Sequence, residues 1–322
     1  MANSLRQPIE EAASRLLGNT RHTVLESSTW LAELAGEGTI VNLKLENQQV
    51  SGSFKARGAF NKMSMVVSEC PSCRPVLAST GNHALACSWA AGRLNVNCDV
   101  HVPQTVSEAK LRALQHETNL TVCLSGTDCI DAESAARRAA KENGQPYVSP
   151  YNDIDVVCGQ GTIGKEILED MPNVDVILVS VGGGGLIAGI SAYVKEVKPS
   201  VKVIGCQPAA SQVMAQSIAV GEIREFPQSD TLSDGTAGGI EEGSVTFGLC
   251  KRHVDEWIMV SEETIAKSVR FMVEYHQQIV EGAAGVALGA FIDQPQRFAG
   301  QNVAIVICGG RIGIDVLRKI LA

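Results

Sequence analysis

Short apolar, β-branched runs alternate with helix-like stretches along the whole chain. TIVNLKLE (39–46), PVLAST (75–80), NCDVHVP (97–103), LTVCLS (120–125), VDVILVSV (174–181), VKVIGCQP (201–208), DEWIMVS (255–261) and NVAIVICGG (302–310) read as strands. Most are apolar on both faces, the mark of parallel strands covered by helices on each side. Between them HALACSWAAGRL (83–94), DAESAARRAAKENG (131–144) and EETIAKSVRFMVEYH (262–276) have helical patterns. Thr80-Gly81-Asn82 is placed to cap the first, and Ser261 with Glu262 and Glu263 to open the third. The alternation predicts a doubly wound α/β architecture. SPYND (149–153) and residues 222–243 are polar loop regions, the first placed where a chain crosses between domains.

Residues 174–194 are almost uncharged and long enough to span a membrane. Four consecutive glycines in their middle break that reading, because lipid offers no replacement hydrogen bonds. A buried strand, a glycine turn and the start of an apolar helix account for the window. At 322 residues the chain exceeds what one core usually organises, so two domains are expected. A net charge of −8 without a dense basic run argues against a nucleic-acid partner. The N-terminus shows no export signal, and ten scattered cysteines then read as reduced thiols of a cytoplasmic protein. Cys70 and Cys73 form a lone CPSC; without a second ligand pair or a strand–helix context it reads as a turn around Pro71.

Four unusual loops lie after or near predicted strands: SGSFK (51–55), STGNH (79–83), VGGGGL (181–186) and CGG (308–310). Open parallel sheets bind ligands at the carboxyl ends of their strands, so the four are expected to converge. Gly182, Gly183, Gly184 and Gly185 can turn their N–H groups onto one anion ahead of a helix. No GKS or GKT follows, and the dinucleotide spacing is absent, so a compact monophosphate fits best; a tight packing turn is the competing reading. Lys55, among small neighbours and beside Arg57, can lose part of its preference for the charged state and attack an aldehyde. Alone it reads more readily as a solvated lysine. Together with an anion seat it suggests pyridoxal phosphate.

LKLENQQVSGSFKARGA, STGNHALA, GQGTIGKEIL, SVGGGGLIAG, EGAAG and CGG occur in that order. In this the chain resembles the fold type II, tryptophan-synthase-like pyridoxal phosphate enzymes, and among them the serine/threonine dehydratase and serine racemase branch. The resemblance implies a two-domain α/β fold, with residues 1–66 and 153–322 in a large cofactor-binding domain and 67–152 inserted as a small one. It implies that Lys55 carries the cofactor as a Schiff base, that Gly182 to Gly185 hold its phosphate, that Asn82 hydrogen-bonds its 3-oxygen and that Phe54 flanks its ring. Cys308 would face the pyridine nitrogen as a neutral partner. Ser79, Thr80, Gly81, Asn82 and His83 would bind the substrate carboxylate, with packing as the alternative for His83. The implied reaction is β-elimination and deamination of L-serine- or L-threonine-like 3-hydroxy amino acids by a homodimer. Arg57 is expected to pair with a carboxylate or line the site.

Three departures bear on the alternatives. Racemases of this branch present serine where this chain has Thr80, so racemisation of serine or aspartate is the runner-up. Gln207 and Val213 stand where carboxylates would bind Mg²⁺, so that site is expected to be degraded. An arginine that some members use near the substrate is absent from GTDCIDAES, where Asp131 is expected to disfavour a dicarboxylic substrate. β-Replacement chemistry and a non-catalytic small-molecule binder share the same lysine and glycines. The chain ends soon after CGG, so no C-terminal regulatory domain is expected.

Overall fold

The computed structural model describes residues 4–322. Its strands are β1 (Leu25–Ser27), β2 (Ile40–Lys44), β3 (Val76–Ala78), β4 (Cys98–Val102), β5 (Leu120–Leu124), β6 (Val176–Ser180), β7 (Lys202–Pro208), β8 (Glu256–Val260) and β9 (Asn302–Val306). They form one sheet in the order β1-β2-β9-β6-β7-β8 and a second in the order β3-β4-β5. Every pairing is parallel except β1 with β2. All eight expected runs are strands. The ninth, β1, is a three-residue antiparallel edge, too short to show a period of two.

Burial explains the sequence pattern. β6 is buried at every position, and β7 and β9 at all but their first. β5 departs from it: as an edge of the small sheet it has no buried residue. The window 174–194 resolves into β6, a glycine turn and the helix Gly185–Val197, and no described helix is long and apolar enough to cross a membrane. Ser261 caps the helix Glu262–His276, its Oγ accepting the Thr264 N–H at 3.1 Å.

Two helix crossings fix the sheet's loops relative to one another. The helix Ile154–Asp170, which carries GQGTIG, packs between Lys55–Glu69 and Gly185–Val197. A Cβ on Gly159 would lie 2.6 Å from the Cα of Gly58. One on Gly189 would meet the Val157 carbonyl and lie 2.6 Å from the N of Gly161. Glycine is therefore required on both faces, because backbone packs directly on backbone. The helix Lys55–Glu69 also runs through the expected boundary near residue 66, and its Ala59, Phe60 and Met63 join the core cluster of the small sheet.

Beneath β2 lies a buried ion network. Arg57, 1% exposed, donates to Glu46 at 2.7 and 2.9 Å and to Glu166, which also takes Lys44 at 2.7 Å. Of the two roles expected for Arg57, it has the pairing one.

Gly189→Ala should destabilise the chain by at least about 1–3 kcal/mol through overpacking. Gly248, exposed in the helix Val245–His253, is the contrasting site, because a methyl group there would meet nothing within 4 Å. Gly248→Ala should stabilise by about 0.5–1 kcal/mol. Urea midpoints of the two variants should move in opposite directions.

Candidate active site

The loops that follow β2, β3, β6 and β9 surround a cavity of about 670 Å³. Phe54, Lys55, Ser79, Thr80, Gly81, Asn82, His83, Gly182, Gly183, Gly184, Gly185 and Cys308 all line it. The expected convergence is present.

Lys55 is the first residue of its helix and reaches the cavity because the chain before it is tied down. Phe54 donates its N–H to the Cys308 carbonyl at 3.0 Å, and Ser53 bridges Gly309 in antiparallel fashion. The Lys55 amine donates to the Pro150 carbonyl at 2.7 Å and lies 5.1 Å from the centre of the Phe54 ring. No carboxylate forms a salt bridge with it among the described residues. Burial pushes its ammonium down to about 8, against the opposing pull of Cys87, Cys308 and Glu281. An amine of this kind is a usable nucleophile and base near neutrality.

The glycine loop opens the helix Gly185–Val197, with Gly184 in the left-handed region at φ +87°. None of the N–H groups of Gly182 to Gly185 meets a protein acceptor among the described residues. The loop is held from below by Tyr151, whose ring would lie 2.6 Å from a Cβ on Gly183. Four unpaired donors at a helix N-terminus form a seat for an anion. A phosphate fits that seat, and the Lys55 amine, without a carboxylate partner in the same cavity, fits an aldehyde; the residues present therefore suit pyridoxal phosphate.

STGNH ends β3 and starts the helix Asn82–Leu94, but its capping differs from expectation. Gly81 is the N-cap, with no side-chain cap, so the first-turn N–H groups of Asn82 and His83 are unpaired. Ser79 Oγ accepts the Gly81 N–H at 3.1 Å. The His83 ring is buried and its Nε2 donates to the Val148 carbonyl at 3.0 Å. Burial and the neighbouring Lys55 hold this imidazole down to about 3, hence neutral. Its side chain packs, and its backbone N–H remains for a ligand. The Asn82 amide donates to both oxygens of Glu281 at 2.9 Å. Cys308 is buried, and burial keeps its thiol protonated by pushing it well up.

Glu281, Ser180, Asp234 and Arg311 also line the cavity. Sequence reasoning assigned none of them a role; Glu281 stands at the head of EGAAG, where the motif was noted and its acid passed over. Asp131 requires a correction. Its carboxylate accepts the Thr127 N–H and hydroxyl at 2.9 and 3.0 Å and is not among the cavity-lining residues, so it opposes no substrate carboxylate. The Gln207 amide is engaged by backbone, donating to the Val181 carbonyl at 3.2 Å and accepting the Ala215 N–H at 2.8 Å. Val213 is buried at the start of the helix Val213–Val220.

A parallel sheet whose loops bring a partly neutral amine to a nest of unpaired backbone donors defines the fold type II class of cofactor enzymes. Residues 16–309 match the sequence profile of the family described as pyridoxal-phosphate dependent enzyme, and the chain belongs to that family. It is 38% identical over 315 residues to an L-threonine ammonia-lyase of Thermotoga maritima, a match that covers 98% of this chain and 77% of that protein. Threonine deaminase isoform 2 of Solanum lycopersicum superposes with a TM-score of 0.91 at 28% identity, over 98% of this chain and 87% of that one. Maize serine racemase superposes with a TM-score of 0.90 at 27% identity, over 98% and 95%.

The lowered Lys55 ammonium has a direct consequence. At pH 8 about half of this amine is neutral, against less than about 1% of an ordinary lysine. Limiting pyridoxal phosphate followed by borohydride should therefore label Lys55 first. The rate should rise with pH and level off roughly one unit above that midpoint. Peptide mapping that finds the label spread over surface lysines would contradict the assignment.

Proposed function

We propose that this chain is a pyridoxal-phosphate-dependent ammonia-lyase acting on 3-hydroxy amino acids of the L-serine and L-threonine type. It removes the β-hydroxyl and the amino group and releases a 2-oxo acid and ammonia; the water lost in elimination is regained in hydrolysis. The observation that carries the reading is the buried Lys55 amine in one cavity with the four unpaired glycine N–H groups. The names of the relatives, a threonine ammonia-lyase and a threonine deaminase, support the same reaction.

When bound, pyridoxal phosphate supplies an aldehyde for the amino group and a ring that withdraws electrons from Cα. Gly182, Gly183, Gly184 and Gly185 hold the phosphate with backbone donors. Phe54 flanks the ring, and the protonated Cys308 thiol offers its nitrogen a neutral neighbour. Ser79, Thr80, Gly81, Asn82 and His83 bind the substrate carboxylate through hydroxyl and backbone N–H groups. Lys55 takes the Cα proton as general base, a task suited to an amine near 8.

Racemisation is the second reading. It rests on the Thr80 hydroxyl, which lines the cavity without a protein hydrogen-bond partner among the described residues, and on the likeness to serine racemase. The Thr80 side chain is stiffer than serine, which argues for elimination as the main activity.

The division into 1–66 with 153–322 and 67–152 is part of the same reading. Two sheets with distinct core clusters support it. So is a cytoplasmic homodimer. Ten free thiols suit a reducing compartment, and exposed Trp30 and Tyr275, ring centres 4.8 Å apart, supply an apolar surface for pairing. Sedimentation equilibrium that gives a monomer at micromolar concentration would remove the dimer.

Lys55→Ala should reduce 2-oxo acid release by at least about 10³-fold while circular dichroism stays unchanged. Retained turnover would refute the lysine's role. Thr80→Ala should suppress formation of the D-isomer far more than elimination; equal losses would make Thr80 a binding residue only.

A further inference from the structure

Glu281 is a buried carboxyl in the cavity wall to which the reaction scheme above assigns no task. Its hydrogen-bond partners are the Asn82 amide, 2.9 Å from each carboxylate oxygen, and the Arg311 backbone N–H at 3.2 Å. It heads the helix Gly282–Ile292 and is confined there, since a Cβ on Gly309 would come within 2.5 Å of its Oε1. The contact joins residues 199 positions apart, linking the loop after β3 to the wall built by the large sheet.

An amide has one donor end and one acceptor end. With its Nδ2 end turned to both oxygens of Glu281, Asn82 has its Oδ1 end without a donor among the described residues. We propose that Glu281 is a positioning residue: by accepting from the Nδ2 end of Asn82 when charged, or donating to its Oδ1 end when neutral, it decides which end of that amide faces the cavity. The inference rests on the pyridoxal-phosphate reading, in which Asn82 faces the oxygen on the cofactor ring. The charged carboxylate holds the Nδ2 end, so Asn82 presents Oδ1, an acceptor that suits a ring hydroxyl. When the carboxylate gains a proton from solvent, one of its oxygens becomes a donor. That donor holds Oδ1 instead, which turns the amide and presents Nδ2–H, a donor that suits a ring oxyanion.

The groups facing Glu281 come from several elements. Lys55 lies at the start of its helix, Asp234 in the short turn Asp234–Thr236, and Cys308 and Arg311 after β9. Burial and Asp234 favour the neutral carboxyl, while Asn82, the Arg311 N–H and Lys55 favour the charged one. Burial dominates and brings the group up to about 7. The change-over therefore falls near neutrality.

The test uses the apoprotein labelled with ¹⁵N-asparagine, the Asn82 signal being assigned by its loss in Asn82→Ala. Its amide protons should shift with pH with a midpoint near 7 in the natural chain and stay fixed in Glu281→Gln. A flat response in the natural chain, or a titration that survives in Glu281→Gln, overturns the inference. Should Glu281→Gln fail to fold, Glu281→Asp keeps the carboxyl but shortens its reach, and the Asn82 shift should fall by at least half; an undiminished shift also overturns it. With cofactor added, the visible band should change over the same pH interval in the natural chain and not in Glu281→Gln. A protein that stays colourless with pyridoxal phosphate sinks the cofactor reading instead, and the apoprotein titration still decides whether Glu281 controls Asn82.

Discussion

Backbone packed directly on backbone holds the site together. The helix that starts at Lys55, the helix Ile154–Asp170 and the helix that follows the glycine loop are stacked through Gly58 with Gly159 and Gly161 with Gly189. At these contacts backbone meets backbone with little room to absorb a shift, so the amine at one helix start and the anion seat at another are held at a fixed separation. The GQGT motif, remote from the chemistry in sequence, is the middle layer of this stack. A second tie, the Phe54 N–H to the Cys308 carbonyl, sets the Cys308 residue beside the same lysine.

Burial then does different work on each titratable group in the cavity. Lys55, with only a carbonyl to accept from it, is pushed down; Cys308 and Glu281 are pushed up; His83 is held neutral in the wall. These shifts lie in one direction, toward loss of charge, which is what a cavity with few ion pairs imposes. The cations and anions that are paired deep inside, Arg57 with Glu46 and Glu166, and Lys44 with Glu166, lie instead beneath the sheet. Charge is thus neutralised by partners in the scaffold and by proton transfer in the site. That division leaves a wall able to bind an anion through backbone dipoles and to handle a proton near neutral pH.

Much of this was legible in the chain. The apolar runs are clearest for β6, β7 and β9, which are buried on both faces, and four loops announce the cavity because glycines and a lysine among small residues recur at the ends of predicted strands, where an open sheet binds ligands. β1 escaped because three residues show no period. Asp131 was misplaced because its motif resembles a site loop, whereas its carboxylate is satisfied locally by Thr127. Glu281 escaped for the opposite reason: its partner is 199 residues away, and no local spacing signals it.

The sequence by itself determined the alternation of strand and helix, the run of four glycines and a lysine set among small residues, because these depend on period, on backbone freedom and on side-chain chemistry that each residue carries with it. Only the tertiary structure decided that Arg57 belongs to the scaffold, that the His83 ring packs instead of facing a ligand, and that the Asn82 amide meets Glu281. Those assignments depend on which groups meet after the two sheets close around one cavity. A hydrogen bond or a desolvated charge is a property of the pair and its surroundings, and no single stretch of chain contains both.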